Sequence, residues 1–161
     1  MLKAQLSKSL PAITISSFQL TLADLERYAG NAGAAAQGYE QARLSFETVL
    51  REQTDNADLF SGLAWTEACL GHKDKALDLA RKAIVLDPTS KDARSGPNRE
   101  EMLARIQAHF GDKDNSIAAL QHLLSIAYGG GPPVTPALLR ADPDWDNLRG
   151  DPRFEKLCQE K

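Results

Sequence analysis

Apolar residues follow a helical spacing in six runs along the chain, and these runs come in pairs. Offsets of three, four and seven place the apolar side chains of each run on one stripe of a helix. Gly30, Gly71 and Gly111 separate the two runs of each pair, and glycine can adopt the left-handed conformation that ends a helix and turns the chain back. Asp74 and Asp114 are expected to cap the second helices of the later pairs. The predicted helix–turn–helix hairpins span residues 17–52, 57–87 and 98–127.

Residues 1–16 precede the first predicted hairpin. Within them, the short β-like run 12–16 has no partner strand and is therefore predicted to be part of a linker. The stretch from Leu2 to Leu10 is alternatively the remnant of a preceding helix that ends at Pro11. We thus expect a linker or a remnant helix at this end of the chain.

Residues 128–161 differ in character from the hairpins, because they begin with a Gly- and Pro-rich break. Asp142 and Asp151 each precede a proline, an arrangement typical of an N-capping carboxylate followed by the first helical residue. We predict two short helices at about residues 143–149 and 152–160. Stacked hairpins need their last apolar face covered, so this segment is predicted to be a C-terminal cap.

Small and apolar residues recur at matching positions of the three hairpins. In chain order these positions are Leu22, Ala23, Gly30, Ala35, Tyr39 and Ala42, then Phe60, Leu63, Ala64, Gly71, Ala76, Ala80, Ala83 and Pro88, then Leu103, Ala104, Gly111, Ser116, Leu120 and Leu123. This pattern resembles the tetratricopeptide repeat. The chain departs from this pattern at Glu67, where the family usually has Tyr. Its repeat is also longer than that of the family, and we assign the extra residues to a long second helix (32–52) and to the loop 89–96. The resemblance implies an all-α fold, an α-α superhelix of about three hairpins with a C-terminal cap of short helices.

The tail between Pro132 and Phe154 has a sequence pattern of its own, with repeated Asp-Pro pairs and a Trp. It resembles the C-terminal tail of certain bacterial tetratricopeptide proteins, in which the repeats often follow a protein-kinase, cyclase or winged-helix module. This resemblance implies an alternative function: a regulatory or dimerising module of a larger signalling protein whose effector part is absent. A homodimer is an expectation of that alternative.

Composition favours the same fold class and excludes several classes of partner. The chain has 23 Ala and 22 Leu but only 6 Ile and 3 Val, and sheets favour β-branched residues whereas Ala and Leu favour helices. Nineteen basic and 22 acidic residues give a net charge of −3 without a basic run, which argues against nucleic acid or an anionic membrane as partner. Two cysteines far apart fit a reducing compartment, so we expect a cytoplasmic protein.

Motifs of known catalytic and cofactor sites are missing from the sequence. It contains no P-loop, H-E-x-x-H or G-x-S-x-G pattern. Cys69 and His72 are the only close pair of soft metal ligands, whereas a zinc site needs four such groups or three and a water. We therefore predict a protein that is not an enzyme and has no cofactor and no metal. A small α-helical hydrolase with a Cys69/His72 or an Asp/His site is the remaining enzyme hypothesis.

In the tetratricopeptide fold, the first helix of each hairpin lines a concave groove. Trp65, flanked by Arg27 and Arg105, is the expected anchor for an extended peptide or helix, although a core position between hairpins is the alternative. The mixed signs of the groove charges argue against a strongly charged peptide terminus as the sole ligand. The positions that the resemblance assigns to the groove are Asp24, Arg27, Tyr28, Asp58, Ser61, Trp65, Cys69, Asn98, Glu101, Arg105 and His109.

The main functional hypothesis is a non-enzymatic scaffold that binds a segment of a partner protein in this groove. Rigid stacked helices would hold the groove side chains in place, so that the partner segment loses most of the conformational entropy. On this hypothesis, Trp65→Ala and Arg105→Glu are expected to weaken partner binding without unfolding the protein.

Overall fold

The computed structural model describes residues 11–159, and within that range the chain is all-helical with no β-strand. The predicted all-α class is therefore confirmed, while the proposed remnant between Leu2 and Leu10 lies outside the described residues. The helices are α1 (Ala12–Tyr28), α2 (Ala32–Leu50), α3 (Ala57–Cys69), α4 (Lys73–Leu86), α5 (Pro97–His109), α6 (Lys113–Leu124), α7 (Pro136–Ala141), a 3₁₀-helix (Pro143–Leu148) and α8 (Pro152–Gln159).

Helix α1 begins earlier than the sequence pattern indicated. The prediction that residues 12–16 form a linker is wrong, because they are the first turns of α1. Ser16 is fully buried, and its hydroxyl lies 3.1 Å from the carbonyl of Ala12 and 3.0 Å from Oγ of Ser45 on α2. These contacts outweigh the weak preference of β-branched residues for strands.

The three predicted bends lie where the glycine pattern placed them. Gly30, Gly71 and Gly111 have φ angles of 80°, 85° and 78°, so each is in the left-handed region that favours glycine. All three close their helix in the same way: the glycine N–H binds the carbonyl three residues back, and the next N–H binds the carbonyl five residues back. The sequence signal at these positions is thus a backbone requirement repeated three times.

The predicted caps at Asp74 and Asp114 are wrong by two residues. Each lies in the first turn, because α4 and α6 start one residue before them. At α6 the capping carboxylate is Asp112, which accepts from the backbone N–H of Asn115 at 3.3 Å, whereas His72 precedes α4 without a side-chain cap. Only one residue separates the glycine from the next helix, so that residue is the N-cap position and the aspartates two residues later already lie within the helix. At the tail, the predicted cap Asp142 does bind the N–H of Asp144.

The helices pack as three successive hairpins, α1 with α2, α3 with α4, and α5 with α6. Neighbouring hairpins touch through α2 and α3 and through α4 and α5, while α3 also contacts both α1 and α5. Small residues permit this close packing: a Cβ at Gly38 would lie 2.8 Å from the Cβ of Ala23. As a result, α1, α3 and α5 are neighbours on one side of the molecule.

The C-terminal segment covers the apolar side of the third hairpin. The 3₁₀-helix contacts α5 and α6, and α8 contacts α6 and α7. Trp145, Leu148 and Phe154 are buried in one cluster with Leu120 and Leu123 of α6. Helix α7, which the sequence pattern did not indicate, begins at Pro136 after a Thr135 cap. This packing brings the residues around Asp144 against the open side of α1 and α5.

Candidate functional site

An open groove runs between α1, α3 and α5. It consists of two adjoining recesses of about 540 and 550 Å³. The first recess ends at the loop 130–132 and at Asp144, and the second extends toward Ile13 and Thr14 at the start of α1. The residues that line both recesses are Ser17, Asp58, Gly62, Asn98, Arg99 and Met102.

The floor of the groove is apolar because α3 carries a glycine at its centre. A Cβ at Gly62 would lie 2.5 Å from the ring of Phe46, so the ring of this α2 residue occupies the space that any other side chain would need. Phe46 therefore lines the first recess together with Leu20 and Met102. This surface can accept an apolar side chain, while Ser17 contributes a polar group at the side.

Two arginines at the closed end of the groove bind a carboxylate of the tail. Arg27 Nη2 donates to Oδ1 of Asp144 at 2.6 Å, and Arg105 Nη1 donates to Oδ2 at 2.6 Å. The Tyr28 hydroxyl adds a bond to Oδ2 at 3.0 Å, and Arg105 also binds Asp142 at 2.7 Å. The Asp144 side chain is only 4% exposed. The chain therefore supplies its own acidic group to the cations of the groove.

Trp65 lies beneath the groove surface rather than open within it. It is 3% exposed, and its Nε1–H donates to Oδ1 of Asp24 at 3.0 Å. The Tyr39 hydroxyl donates to the same oxygen at 2.7 Å, and the Arg27 guanidinium lies 5.5 Å from the Trp65 ring centre. Of the two interpretations of Trp65, the geometry favours the core position between hairpins.

The pKa values of Asp144 and Asp24, the two carboxylates near Arg27, are shifted in opposite directions. Burial would raise the pKa of Asp144, but Arg105 and Arg27 outweigh it and hold that pKa below its ordinary value. Burial raises the pKa of Asp24 despite the hydrogen bonds from Tyr39 and Trp65. Asp144 is thus the well-compensated charge at this end of the groove, and Asp24 is the poorly compensated one.

Arg99 is the cation of the second recess, and it is 9% exposed. Its Nη2 binds Asp58 at 2.8 Å and Asp87 at 3.3 Å, and its Nη1 binds the carbonyl of Ser95 at 3.1 Å. Among the described residues, no acceptor reaches the buried Nε of Arg99, and the buried hydroxyl of Ser61 also lacks a partner. Arg99 and Ser61 are both among the residues that line the second recess.

The residues assigned to the groove from the sequence fall into three groups. Arg27, Cys69 and His109 line neither recess. Arg27 is directed to Asp144, burial raises the pKa of Cys69, and the His109 ring packs edge-on against Trp65. Ser61 lines only the second recess. Those that line the first recess are Asp24, Tyr28, Asp58, Trp65, Asn98, Glu101 and Arg105.

The sequence analysis missed Asp144 and Arg99 as groove residues. Asp144 was visible only as part of an Asp-Pro-Asp cap in the tail, and nothing in that motif indicates its partners Arg27 and Arg105, which lie 117 and 39 residues away. Arg99 lies one position beyond Asn98 on α5, and its burial follows from two aspartates on other elements, Asp58 and Asp87. No local pattern could have identified either side chain.

The imidazole of His72 is directed to Glu67. His72 Nδ1 lies 2.6 Å from Oε2 of the fully buried Glu67, and Lys75 binds the other oxygen of that carboxylate at 2.6 Å. Burial raises the pKa of the Cys69 thiol to about 12. Between residues 11 and 159, no three His, Cys, Asp or Glu side chains are arranged to hold a metal ion.

Comparison with known proteins assigns no family to this chain. No family model matches it, and no curated protein matches it either. Across residues 11–159, no helix has the length and apolar character required to cross a membrane. The groove is therefore the feature from which a function can be argued.

Proposed function

We propose that the protein is a non-enzymatic scaffold that binds an extended segment of a partner protein in the groove between α1, α3 and α5. The fold we propose is a superhelix of the tetratricopeptide kind. Three hairpins with the same glycine-closed bend, packed in sequence, support it. In such an arrangement the first helices of the hairpins face a ligand together.

The observation that carries this proposal is the groove itself. Its two recesses adjoin over the centre of α3, and they combine an apolar floor at Phe46 and Met102 with polar groups such as Ser17 and Asn98. A peptide needs both, since its side chains bury apolar surface and its backbone needs hydrogen-bond partners. The walls are held by hydrogen bonds within the chain, which reduces the entropy lost on binding.

The side chains considered for catalysis support a non-enzymatic role. A thiol with a pKa near 12 remains protonated at neutral pH and is a poor nucleophile. His72, the nearest candidate base, is directed to Glu67. A catalytic pair needs the two groups within hydrogen-bond reach of each other.

A matched pair of threonine variants tests the proposed groove. Thr21 lines the first recess, whereas Thr48 is exposed on α2, and each hydroxyl bonds the carbonyl four residues before it. Peptides selected on the wild-type protein from a displayed random library are measured against Thr21→Arg and Thr48→Arg. We expect binding to fall at least about tenfold in Thr21→Arg only, because the arginine fills the recess. Selected peptides that bind both variants equally, or no selected peptide at all, would contradict the proposal.

A second candidate function is the dimerising module, and one surface favours it. Phe18, Leu22 and Leu25 form an apolar stripe on α1 and are 57%, 62% and 57% exposed. Exposed apolar stripes of this kind are typical of helix–helix interfaces. Sedimentation velocity of the wild type and Leu22→Glu tests it: a concentration-dependent dimer that the variant abolishes would support a dimer through α1. A wild type that remains monomeric at high concentration would exclude it.

A further inference from the structure

We propose that the segment bound in the groove carries a lysine or arginine, whose cationic group is held at the closed end by Asp24, with Glu101 and Asp144 nearby. The inference rests on the function proposed above and specifies the chemistry of the partner. Three observations carry it: the balance of charges, the free oxygen of Asp24 and the unpartnered donor of Arg99.

Carboxylates outnumber cations along the first recess. Its lining contains four acidic side chains and two arginines, Arg99 and Arg105. Arg27, which does not line the recess, binds Asp144 at 2.6 Å and leaves the carboxylates still in excess by one. Arg105 already contacts Glu101, Asp142 and Asp144 at 2.6 to 3.1 Å. An acidic ligand would have to displace these partners and would meet the remaining carboxylates, which costs free energy. A cationic ligand needs no such displacement.

Asp24 offers the acceptor that a cation needs. Asp24 lines the first recess, and its two bonded donors, Tyr39 and Trp65, both use Oδ1. No hydrogen bond from the described residues reaches Oδ2, which leaves this oxygen for a ligand. Arg27 is 3.7 Å from Oδ1 and is directed mainly to Asp144. Burial raises the pKa of Asp24, which shows that its charge is incompletely compensated within the chain. An ammonium or guanidinium group would provide that compensation.

Arg99 lines the second recess and has a donor without an acceptor among the described residues, which suits the backbone of the same peptide. Arg99 is more than nine-tenths buried, and no described residue accepts from its Nε. The buried hydroxyl of Ser61, which also lines this recess, likewise has no partner within residues 11–159. A buried donor without a partner is costly, and a peptide carbonyl is a suitable acceptor. A peptide therefore satisfies both recesses, with its cation in the first and a backbone carbonyl in the second.

The test uses peptides selected from a displayed random library on the wild-type protein and then synthesised. We expect the selected sequences to share a lysine or arginine. Replacing that residue by glutamine in the peptide should weaken binding about tenfold or more, and raising the salt concentration should weaken only the cationic form. This arm needs no variant of the protein.

The second arm identifies the carboxylate. In Asp24→Asn the amide oxygen can still accept from Tyr39 and Trp65, so the fold is retained while the charge is removed. We expect this variant to bind the cationic and the glutamine peptides equally, whereas Asp78→Asn, on the exposed face of α4, keeps the difference. If Asp24→Asn unfolds, Glu101→Gln replaces it in the same comparison.

The outcomes separate the two proposals. Selected peptides that are neutral or acidic, yet lose binding in Thr21→Arg, would overturn the cationic ligand and leave the groove function standing. A cationic peptide whose advantage persists in Asp24→Asn would overturn the assignment to Asp24. Peptides that bind Thr21→Arg as well as the wild type would remove the groove function itself.

Discussion

Arg27 and Asp144 lie 117 residues apart in the chain, and their side chains form an ion pair in which Nη2 donates to Oδ1 at 2.6 Å. Arg105 binds the other oxygen of the same carboxylate at 2.6 Å. One aspartate therefore joins α1 of the first hairpin, α5 of the third hairpin and the 3₁₀-helix of the tail. This link closes one end of the groove and fixes the distance between two of its walls.

Replacing Asp144 should destabilise the protein far more than replacing its neighbour Asp146. In Asp144→Asn, Arg27 and Arg105 lose their shared counterion in a largely buried site, and we expect the free energy of unfolding to fall by about 3 kcal/mol. Asp146 pairs with Arg149 at the surface, so Asp146→Asn should change it by less than about 0.5 kcal/mol. Urea unfolding of both variants measures the difference, and equal midpoints would contradict the role of the link.

The same carboxylate predicts how stability depends on pH. Although burial opposes it, the pKa of Asp144 is held low by Arg105 and Arg27, so ionised Asp144 stabilises the fold above its ordinary pKa of about 3.9. That stability is lost as the pH falls through the lowered value in the folded state. We expect the wild type to lose more stability than Asp144→Asn between about pH 5 and about pH 2. Urea unfolding across this range is the measurement, and parallel curves would refute the prediction.

The raised pKa of Asp24 acts in the opposite direction in both proteins. Because burial raises this pKa, protonated Asp24 stabilises the folded protein below the ordinary pKa of the group. That stability is lost as the pH rises through the raised pKa of the folded state. Because Asp24 is retained in Asp144→Asn, the comparison of the two curves reports mainly on Asp144.

The bends between paired helices should tolerate alanine poorly for a purely backbone reason. At Gly71 a Cβ would meet nothing within 4 Å, yet the φ angle of 85° is strained for any other residue. We expect Gly71→Ala to lower the free energy of unfolding by about 1 kcal/mol. Gly33, within α2, also has open space around it but no left-handed φ, so Gly33→Ala should raise stability by about 0.5 kcal/mol. Thermal or urea unfolding compares the two, and changes of the same sign would disprove this explanation.

Gly62, beneath the groove, should be required for stability because the Phe46 ring fills the space next to it. Gly62→Ala would place a Cβ 2.5 Å from that ring, and overpacking of this kind costs about 1 to 3 kcal/mol. Phe46→Leu removes the obstructing ring edge, so the double variant should lose less stability than the sum of the single variants. A double-mutant cycle by urea unfolding measures this coupling. Additive losses would show that Phe46 does not exclude a side chain at position 62.

Truncating Trp65 should mainly lower the stability of the fold, because the ring is buried. Because the ring is 3% exposed and its N–H binds Asp24, we expect Trp65→Ala to cost about 3 to 5 kcal/mol. Trp65→Phe should cost less, since it retains most of the ring while losing the hydrogen bond. Denaturation midpoints of both variants decide this, and a stable Trp65→Ala would restore the earlier expectation of an open anchor.

The candidate site could be predicted only in part from the sequence. The resemblance to the tetratricopeptide repeat assigned Asp58 and Asn98 to the groove, and both line its first recess. Trp65 lines the first recess, but its burial depends on α1 and Asp24 packing over it. Arg105 is bound by Asp142 and Asp144 of the tail. Because these residues lie far from Arg105 in the chain, no helical pattern could predict the ion pairs.

The sequence by itself determined the all-helical class and the bends at Gly30, Gly71 and Gly111, because helix periodicity and a left-handed glycine are local properties of a few neighbouring residues. The tertiary structure alone decided that residues 12–16 are helical and that Asp144 closes the groove. Both depend on contacts between segments far apart in the chain, Ser16 with Ser45 and Asp144 with Arg27. The energies of such contacts exist only once the hairpins have packed.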